Sequence, residues 1–376
     1  MKVGAPMIKR RHYIFPILAL LVFGVGWKLP KSMLNNELNN PCNLYLYDTL
    51  LFVSDQSNGI NIYSIKNPSG PVFKMNIPLE GNAGLAVKDS FIFANSYSSL
   101  LVIKMHHDTL FTILKALNSG IYGDDYYPMG VLDHHQYDGW GCMCMTSQSA
   151  GKDVATSSSG EGAGGSYATF AVIDSYLYYI DRYNGLVTMD ISDPADAREL
   201  STTRVDWTIE TLFPTEKYLF IGGTRGMYIY DRSDPVNPVQ TGSFSHFRAC
   251  DPVVVRDTVA YVTLRGGNSC GETHDALLSI SIKDPAHPAL LQDKTVSTPY
   301  GLAVNDTLLY VARGSSGFTL FSVANPRAMA GADSISNVQS KDFIWQGDVL
   351  YMMGFSDVRI YNVVDPKNPV QLSKIE

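Results

Sequence analysis

A short turn motif recurs along this chain at intervals of about forty residues. It places Asp-Pro or Asn-Pro after a strand-like segment, as in "YDRSDPVNPV" (230–239). Successive prolines are 41, 50, 41 and 40 residues apart, at Pro194, Pro235, Pro285, Pro326 and Pro366. Proline fixes φ, and Asp or Asn bonds to its own downstream backbone, so the pair predicts a stiff reversal between two strands. We interpret this turn as geometric and not catalytic.

A second marker has the same period. An aromatic residue occupies the fourth place of segments such as "TLLYVAR", at Phe52, Phe93, Tyr178, Phe220, Tyr261, Tyr310 and Tyr351. The gaps between these residues are 41, 85, 42, 41, 49 and 41. An acid precedes six of them by four residues, at Asp48, Asp89, Asp174, Glu216, Asp257 and Asp306, and the seventh acid, Asp348, is offset by one. Each copy reads as four short strands joined by tight turns.

Four-stranded units of about forty residues are typical of β-propeller blades, which must stack radially to cover their apolar sides. We therefore predict an all-β protein, a seven-bladed β-propeller of four-stranded antiparallel blades over residues 44–376. The predicted blades span about 44–80, 82–117, 167–207, 209–248, 250–298, 300–338 and 342–376. The gap of 85 residues holds an insertion at about 118–166 that lacks the aromatic marker and the Asp/Asn-Pro turn. An eighth blade is the alternative interpretation of that insertion.

The N-terminus has the pattern of a targeting segment. Lys9, Arg10 and Arg11 precede fifteen mostly apolar residues, 13–27, which is short for a membrane-spanning helix. We predict a signal peptide or N-terminal membrane anchor at 1–30 and a linker at 31–43. The protein is then exported to the periplasm, cell envelope or cell surface. The pattern leaves cleavage and retention open, and retention would attach the chain to the inner membrane.

The composition, the net charge and the cysteine count exclude several classes of protein. Apolar residues make up 45% of the chain and charged residues 17%, as in a globular protein with a core. The net charge of −7 argues against a nucleic-acid binder, which would need a basic face. Five cysteines are too few for a scaffold built on disulfides.

Several segments resemble a known repeat. "LLVIKM" (100–105) and "GLVTMDISDP" (185–194) are similar to the core of the LVIVD repeat of bacterial cell-surface proteins. Two longer stretches, 158–174 and 249–270, resemble one branch of that family. The resemblance covers roughly residues 44–376 and implies a seven-bladed propeller outside the cytoplasm. It implies no particular activity.

The two faces of such a propeller differ in this sequence. The turns after the first and third strands of every blade lie on one face, which we call the uniform face. The loops after the second strands and the crossovers between blades lie on the opposite face, which we call the variable face. Both irregular segments, 118–166 and 265–275, fall on the variable face. Because loops on a rigid scaffold usually carry binding, we predict the variable face as the working surface.

Arginine recurs on the predicted variable face. The candidate ligand-binding residues are Arg182, Arg225, Arg265 and Arg313 in loops after second strands, and Arg248 in a crossover. Converging guanidinium groups would favour an anionic ligand such as a carboxylate or a sulfated glycan. Local pairing with acids such as Asp181 is the alternative.

The cysteines allow several interpretations. Cys250 begins a crossover and Cys270 lies in the long loop of the same blade, so the two are candidates for a disulfide that holds the loop. Cys142 and Cys144, with His134 and His135 upstream, are weak candidates for a metal site, because their spacing matches no standard zinc motif. A disulfide or free thiols are the alternative for that pair. Cys42 leaves the count odd.

Enzyme motifs are lacking in the sequence. It contains no nucleophile elbow and no HExxH. Glu210 and Asp251 flank two of the predicted innermost strands, but the sequence lacks a ring of acidic metal ligands at the starts of those strands. We predict a monomeric, non-catalytic binding or interaction scaffold of the bacterial cell envelope, without a cofactor, whose partner is an envelope protein or a glycan. A hydrolase or lyase acting on an extracellular polymer from the same face is the alternative, and a purely structural spacer is the third.

Overall fold

A computed structural model describes residues 36–97, 99–106, 110–118, 162–167, 169–181, 185–206, 209–245, 252–266 and 274–376. These residues form seven antiparallel sheets, each built on four consecutive strands of the repeat, which confirms the predicted seven-bladed propeller. The predicted leader, 1–30, lies outside the described residues, as does most of the insertion. Within the described ranges no helix has the length and apolar character needed to cross a membrane.

Blades 1 to 3 run from the innermost to the outermost strand. Blade 1 has β1 (Pro41–Tyr47), β2 (Leu50–Asp55), β3 (Gly59–Ser64) and β4 (Val72–Ile77); blade 2 has β5 (Leu85–Lys88), β6 (Phe91–Ser96), β7 (Ser99–Met105) and β8 (Phe111–Asn118). A two-residue strand, β9 (Ala163–Gly164), lies at the end of the insertion. Blade 3 has β10 (Phe170–Ile173), β11 (Tyr176–Asp181), β12 (Gly185–Asp190) and β13 (Arg198–Thr203), with a short 3-10 helix at Pro194–Asp196.

Blades 4 to 7 repeat the same order. Blade 4 has β14 (Ile209–Pro214), β15 (Tyr218–Gly223), β16 (Gly226–Asp231) and β17 (Val239–Ser245); blade 5 has β18 (Val253–Arg256), β19 (Val259–Leu264), β20 (Ala276–Ser281) and β21 (Ala289–Thr295). Blade 6 has β22 (Leu302–Asn305), β23 (Leu308–Ala312), β24 (Phe318–Ser322) and β25 (Ala330–Ile335); blade 7 has β26 (Asp342–Gln346), β27 (Val349–Met353), β28 (Val358–Asn362) and β29 (Val370–Ile375).

The aromatic marker fills the core of the ring. All seven marker residues lie on second strands and are at most 3% exposed. The apolar clusters around them join neighbouring blades, for example blade 3 with blade 4 and blade 6 with blade 7. The core is therefore a set of layers between blades, as expected for sheets that cannot cover their own sides.

The acidic turns adopt a backbone conformation that few residues tolerate. Five of the predicted turn acids have φ between 49° and 55°: Asp48, Asp89, Asp174, Asp257 and Asp306. Asp tolerates this left-handed region better than most residues because its side chain bonds locally. In blade 7 the same place is taken by Gly347, with φ of 56°, which explains why Asp348 is offset by one. Glu216 lies in a longer turn and lacks this conformation.

Glycine opens several third strands because the outermost strand passes close by. Gly317 has φ of 79°, and a Cβ there would lie 1.8 Å from the carbonyl oxygen of Ile335. Gly59 repeats the arrangement in blade 1, with φ of 89° and a distance of 2.2 Å to the oxygen of Ile77. A side chain at either position would push the outermost strand away from its blade.

The Asp/Asn-Pro turns dock onto the preceding blade. Tyr178 of blade 3 donates to the oxygen of Pro235 in blade 4 at 2.8 Å, and Tyr310 of blade 6 donates to the oxygen of Pro366 in blade 7. Ser279 of blade 5 likewise donates to the oxygen of Pro326 in blade 6. The turns thus connect neighbouring blades in addition to reversing the chain.

The ring closes between blade 7 and blade 1 through the same kind of turn contact, and neither blade takes a strand from the other. Blade 1 and blade 7 are each built from strands that are consecutive in the chain. Ser373 of blade 7 donates to the oxygen of Pro68 in blade 1 at 2.6 Å, and an apolar cluster joins the two blades.

Every outermost strand carries a bulge. Each pairing of a third with a fourth strand contains one register shift, in all seven blades. A bulge twists an edge strand and disfavours pairing with another sheet edge. The circumference is thereby protected against edge-to-edge association.

Candidate functional site

The end of the insertion enters the centre of the ring. β9 pairs antiparallel with β1, the innermost strand of blade 1, with Gly164 opposite Tyr45 and Ala163 opposite Leu46. Blade 1 therefore has a fifth strand on the side that faces the propeller axis. We call residues 162–167 the channel segment, because they occupy the centre of the ring before the chain enters blade 3.

Ser166 anchors the channel segment to blades 6 and 7. Its backbone N–H and its Oγ donate to Oδ1 of Asp342 at 3.1 and 2.7 Å. The same Oγ accepts a hydrogen bond from the N–H of Leu302 at 2.8 Å. Gly301 allows this approach, since a Cβ there would lie 2.1 Å from Oδ1 of Asp342.

Asp342 is an unusual carboxyl group in this fold. Its side chain is fully buried, and burial raises its pKa to about 7, against the opposing effect of the hydrogen bonds from Ser166. A carboxyl group with such a pKa is a candidate for acid-base chemistry. Here it lies beneath the channel segment and not in an open cleft, so the geometry favours a role in anchoring the segment.

A second cluster lies on the variable face, around the crossover from blade 5 to blade 6. The guanidinium carbon of Arg265 lies 4.1 Å from the centroid of the Tyr300 ring. The Tyr300 ring packs edge-on against Phe355 of blade 7, with centroids 5.8 Å apart. Nζ of Lys341 lies 5.8 Å from the centroid of Phe355. We call Arg265, Tyr300, Phe355, Lys341 and Arg313 the central patch.

Arg313 belongs to the central patch through the same crossover. Its Nε donates to the oxygen of Ser297 at 3.2 Å, and its own oxygen accepts from the hydroxyl of Thr298 at 3.4 Å. The neighbouring Gly314 lies against the Tyr300 ring, where a Cβ would come within 2.7 Å of a ring carbon. Blades 5, 6 and 7 therefore each contribute to one continuous surface of aromatic and cationic groups.

Two segments of the chain match a known repeat. Residues 40–77, which cover blade 1, and residues 164–202, which run from the channel segment through blade 3, each match the LVIVD repeat. The protein is a seven-bladed β-propeller that contains LVIVD repeats. No curated protein matches the chain.

Solved structures share the fold of this LVIVD propeller. The periplasmic gluconolactonase PpgL of Pseudomonas aeruginosa is similar with a TM-score of 0.57 and 9% identity, over 89% of this chain and 96% of that chain. BamB of Moraxella catarrhalis is similar with a TM-score of 0.56 and 6% identity, over 86% and 84% of the two chains. A protein from Lactobacillus plantarum has a TM-score of 0.53 and 15% identity, over 77% and 83%. At these identities the similarity shows the fold alone.

The structure of the LVIVD propeller brings together two of the predicted arginines. Arg265 and Arg313 each contact the crossover between blades 5 and 6, whereas Arg225 of blade 4 lies 3.9 Å from the carboxylate of Asp206. That contact matches the alternative of local pairing. Arg182 and Arg248 lie outside the described residues. Whether any of the five binds a ligand stays a prediction.

The cysteine predictions fall mostly outside the described part of the LVIVD propeller. Cys250, Cys270, Cys142 and Cys144 lie outside it, as do His134 and His135. Cys42 is buried in β1, and its thiol donates to the oxygen of Asn82 at 3.7 Å. In the ranges that the structure describes, no group of three or more His, Cys, Asp or Glu is placed to hold a metal ion.

The sequence predicted Arg265 and Arg313, but it did not predict the other residues of the central patch or the contact between Ser166 and Asp342. Tyr300, Lys341 and Phe355 lie in crossovers or loops of the variable face, yet nothing in the repeat marks them. For Asp342 a signal was present, since it directly precedes "FIWQ", the innermost strand of the seventh copy. Ser166 stands outside the repeat and carries no local signal.

Proposed function

We propose that this LVIVD propeller is a non-catalytic binding scaffold of the bacterial cell envelope, which engages an envelope protein or a glycan through its variable face. The observation that carries this proposal is the central patch, where aromatic and cationic side chains from three blades lie together on the variable face. A few polar groups around aromatic rings are common in binding sites. The N-terminal targeting pattern and the bacterial LVIVD resemblance support the envelope as its location.

Cleavage of an extracellular polymer on the same face is the alternative function. It would require reacting groups that contact the polymer. Asp342 has the raised pKa that acid-base chemistry calls for, but its side chain is fully buried beneath the channel segment. The geometry therefore supports binding better than catalysis.

The test compares three full-length proteins on an array of bacterial envelope glycans and immobilised envelope proteins. The first is the wild type, and the second has residues 119–161 replaced by a Gly/Ser linker, so that β9 and Ser166 are kept. The third is K217Q on the uniform face, where Nζ of Lys217 lies 5.1 Å from the Tyr218 ring centroid. Release of new sugar chain ends is measured in the same wells.

The proposal expects wild-type binding without cleavage, weaker binding by the linker variant, and unchanged binding by K217Q. If the linker variant binds as the wild type does and K217Q loses binding, the working surface is the uniform face and the proposal is wrong. Cleavage that requires residues of the variable face would replace the proposal with its alternative.

A further inference from the structure

Two cations of the central patch lack a carboxylate partner in the described part of the chain. The side chain of Arg313 donates to the oxygen of Ser297 and to the hydroxyl of Thr319, at 3.2 and 3.4 Å. Nζ of Lys341 donates to the oxygen of Pro41 at 3.0 Å, and the side chain is 5% exposed. Both cations are therefore satisfied by neutral groups, and their positive charge is not cancelled by a neighbour.

Two acids lie near the central patch. Asp275 accepts from the backbone N–H groups of Gly266 and Thr298 at 2.8 and 2.6 Å. Asp357 contacts Nε of Arg359 at 3.0 Å and Nζ of Lys374 at 3.3 Å. Asp357 is thus neutralised by its own cations, whereas Asp275 keeps its charge, and the three cations of the central patch outnumber that carboxylate on a chain whose net charge is −7. A positive site on an acidic protein selects for an anionic ligand by electrostatic steering.

Phe355 gives the central patch an apolar platform. Its side chain lies in the loop after β27 and is 36% exposed. The other large apolar side chains that are exposed in the described ranges lie on outermost strands or beside the third-to-fourth strand turns: Val72, Leu110, Ile113, Leu114, Leu200, Val239, Leu290, Val364 and Val370. A protein interface would need a wider apolar centre than one ring provides.

We infer that the central patch binds a carboxylate-bearing polysaccharide, with a sugar ring packed on Phe355 and a carboxylate near the guanidinium groups of Arg265 and Arg313. This inference rests on the proposed function and names its ligand class. The C–H groups of a sugar ring match the face of an aromatic side chain, and guanidinium groups bind carboxylates with paired hydrogen bonds. Lys341 stays beneath Phe355 and contributes positive potential without touching the ligand.

The test uses polygalacturonate, in which each sugar ring carries a carboxylate, and its methyl ester, in which the rings are the same but uncharged. Binding to the full-length wild type is measured at several salt concentrations. The variants are R265Q and F355A in the central patch. K217Q is the matched control, because Lys217 also lies beside an aromatic ring but has Asp231 as a carboxylate neighbour at 3.6 Å.

The wild type is expected to bind polygalacturonate at least about tenfold more tightly than the methyl ester, with affinity falling as salt rises. R265Q and F355A are each expected to weaken binding by about tenfold, and K217Q to leave it within about twofold. Circular dichroism and the urea midpoint establish that each variant is folded. Should a patch variant fail to fold, the ester comparison and the salt series on the wild type still decide the inference.

Equal affinity for the acid and the ester would overturn the inference, as would an effect of K217Q as large as that of R265Q. Binding of an envelope protein or a neutral glycan that is lost in F355A would also overturn it, while leaving the proposed function intact. If no partner found on the array responds to any variable-face variant, the proposed function itself fails.

Discussion

The two faces of this propeller use similar side chains in different ways. On the uniform face, polar groups of the turns contact neighbouring blades, as when Arg256 of blade 5 donates to Asp306 of blade 6 at 2.9 Å. On the variable face, Arg313 and Lys341 are held by neutral groups, and Lys341 lies beside the exposed ring of Phe355. Regular repetition therefore marks the residues that hold the ring together, and departures from it mark the candidate binding surface.

The contrast explains why the most regular motif carries no proposal of function. The Asp/Asn-Pro turn recurs because each copy must meet the preceding blade at the same place. A ligand would have to compete with those contacts. Changes on the uniform face should accordingly affect stability, and changes on the variable face should affect binding.

The largest expected effect is that of Y310A. Tyr310 is 1% exposed, packs against Phe318, Phe343 and Trp345, and donates to the turn of blade 7. Replacing the ring by a methyl group should lower the free energy of unfolding by about 3–5 kcal/mol. Y310F removes only the hydroxyl and should cost about 1 kcal/mol. Urea unfolding measures both, and equal costs for the two variants would show that the ring does not determine stability at this position.

The second prediction concerns Asp342 and pH. An unfolded Asp ionises near pH 4, whereas the folded group has a pKa of about 7. Between these values the folded state holds a proton that the unfolded state has released, so the contribution of Asp342 to stability is largest below pH 4 and falls as pH rises to 7. The difference in pKa corresponds to roughly 4 kcal/mol.

D342N keeps the shape of the side chain and removes its titration. The wild type should lose roughly 2–4 kcal/mol more stability than D342N between pH 4.5 and 7.5, as measured by urea unfolding at both values. Every other ionisable group is common to both proteins and cancels in the comparison. Identical pH dependence in the two proteins would mean that burial does not raise the pKa of Asp342.

These two predictions also show where sequence reasoning succeeds. The burial of Tyr310 follows from the repeat, because every copy places an aromatic at that position and every blade needs a core residue there. The same holds for the turn acids with positive φ, whose side chains suit the conformation that a two-residue turn requires.

The channel segment shows where sequence reasoning stops. β9 pairs with a strand about 120 residues earlier in the chain. Because this pairing occurs only once in the described residues, the repeat pattern cannot predict it. Likewise, the repeat places Tyr300 and Phe355 on the variable face, but their ring contact depends on how blades 6 and 7 pack. Long-range geometry of this kind has no local signature, so the candidate site became visible only in three dimensions.

A smaller effect is expected where the ring closes. S373A removes the hydrogen bond from blade 7 to the oxygen of Pro68 in blade 1. The apolar cluster between the two blades remains, so the loss should be about 1 kcal/mol. S356A, in the exposed loop beside Phe355, is the control and should leave the urea midpoint unchanged. A loss of several kcal/mol in S373A would indicate that this single contact, and not the apolar packing, closes the ring.

The smallest expected effect on stability is that of F355A, and it tests the contrast between the faces most directly. Because the Phe355 ring is 36% exposed and its contacts are to Tyr300 and Lys341 at the surface of the variable face, its loss should change the free energy of unfolding by about 0.5–1 kcal/mol. Urea unfolding of F355A and Y310A under the same conditions measures the difference between an aromatic ring on the variable face and one between blades. A loss from F355A that approaches the loss from Y310A would place Phe355 among the residues that hold the blades together, and the division of roles between the two faces would not stand.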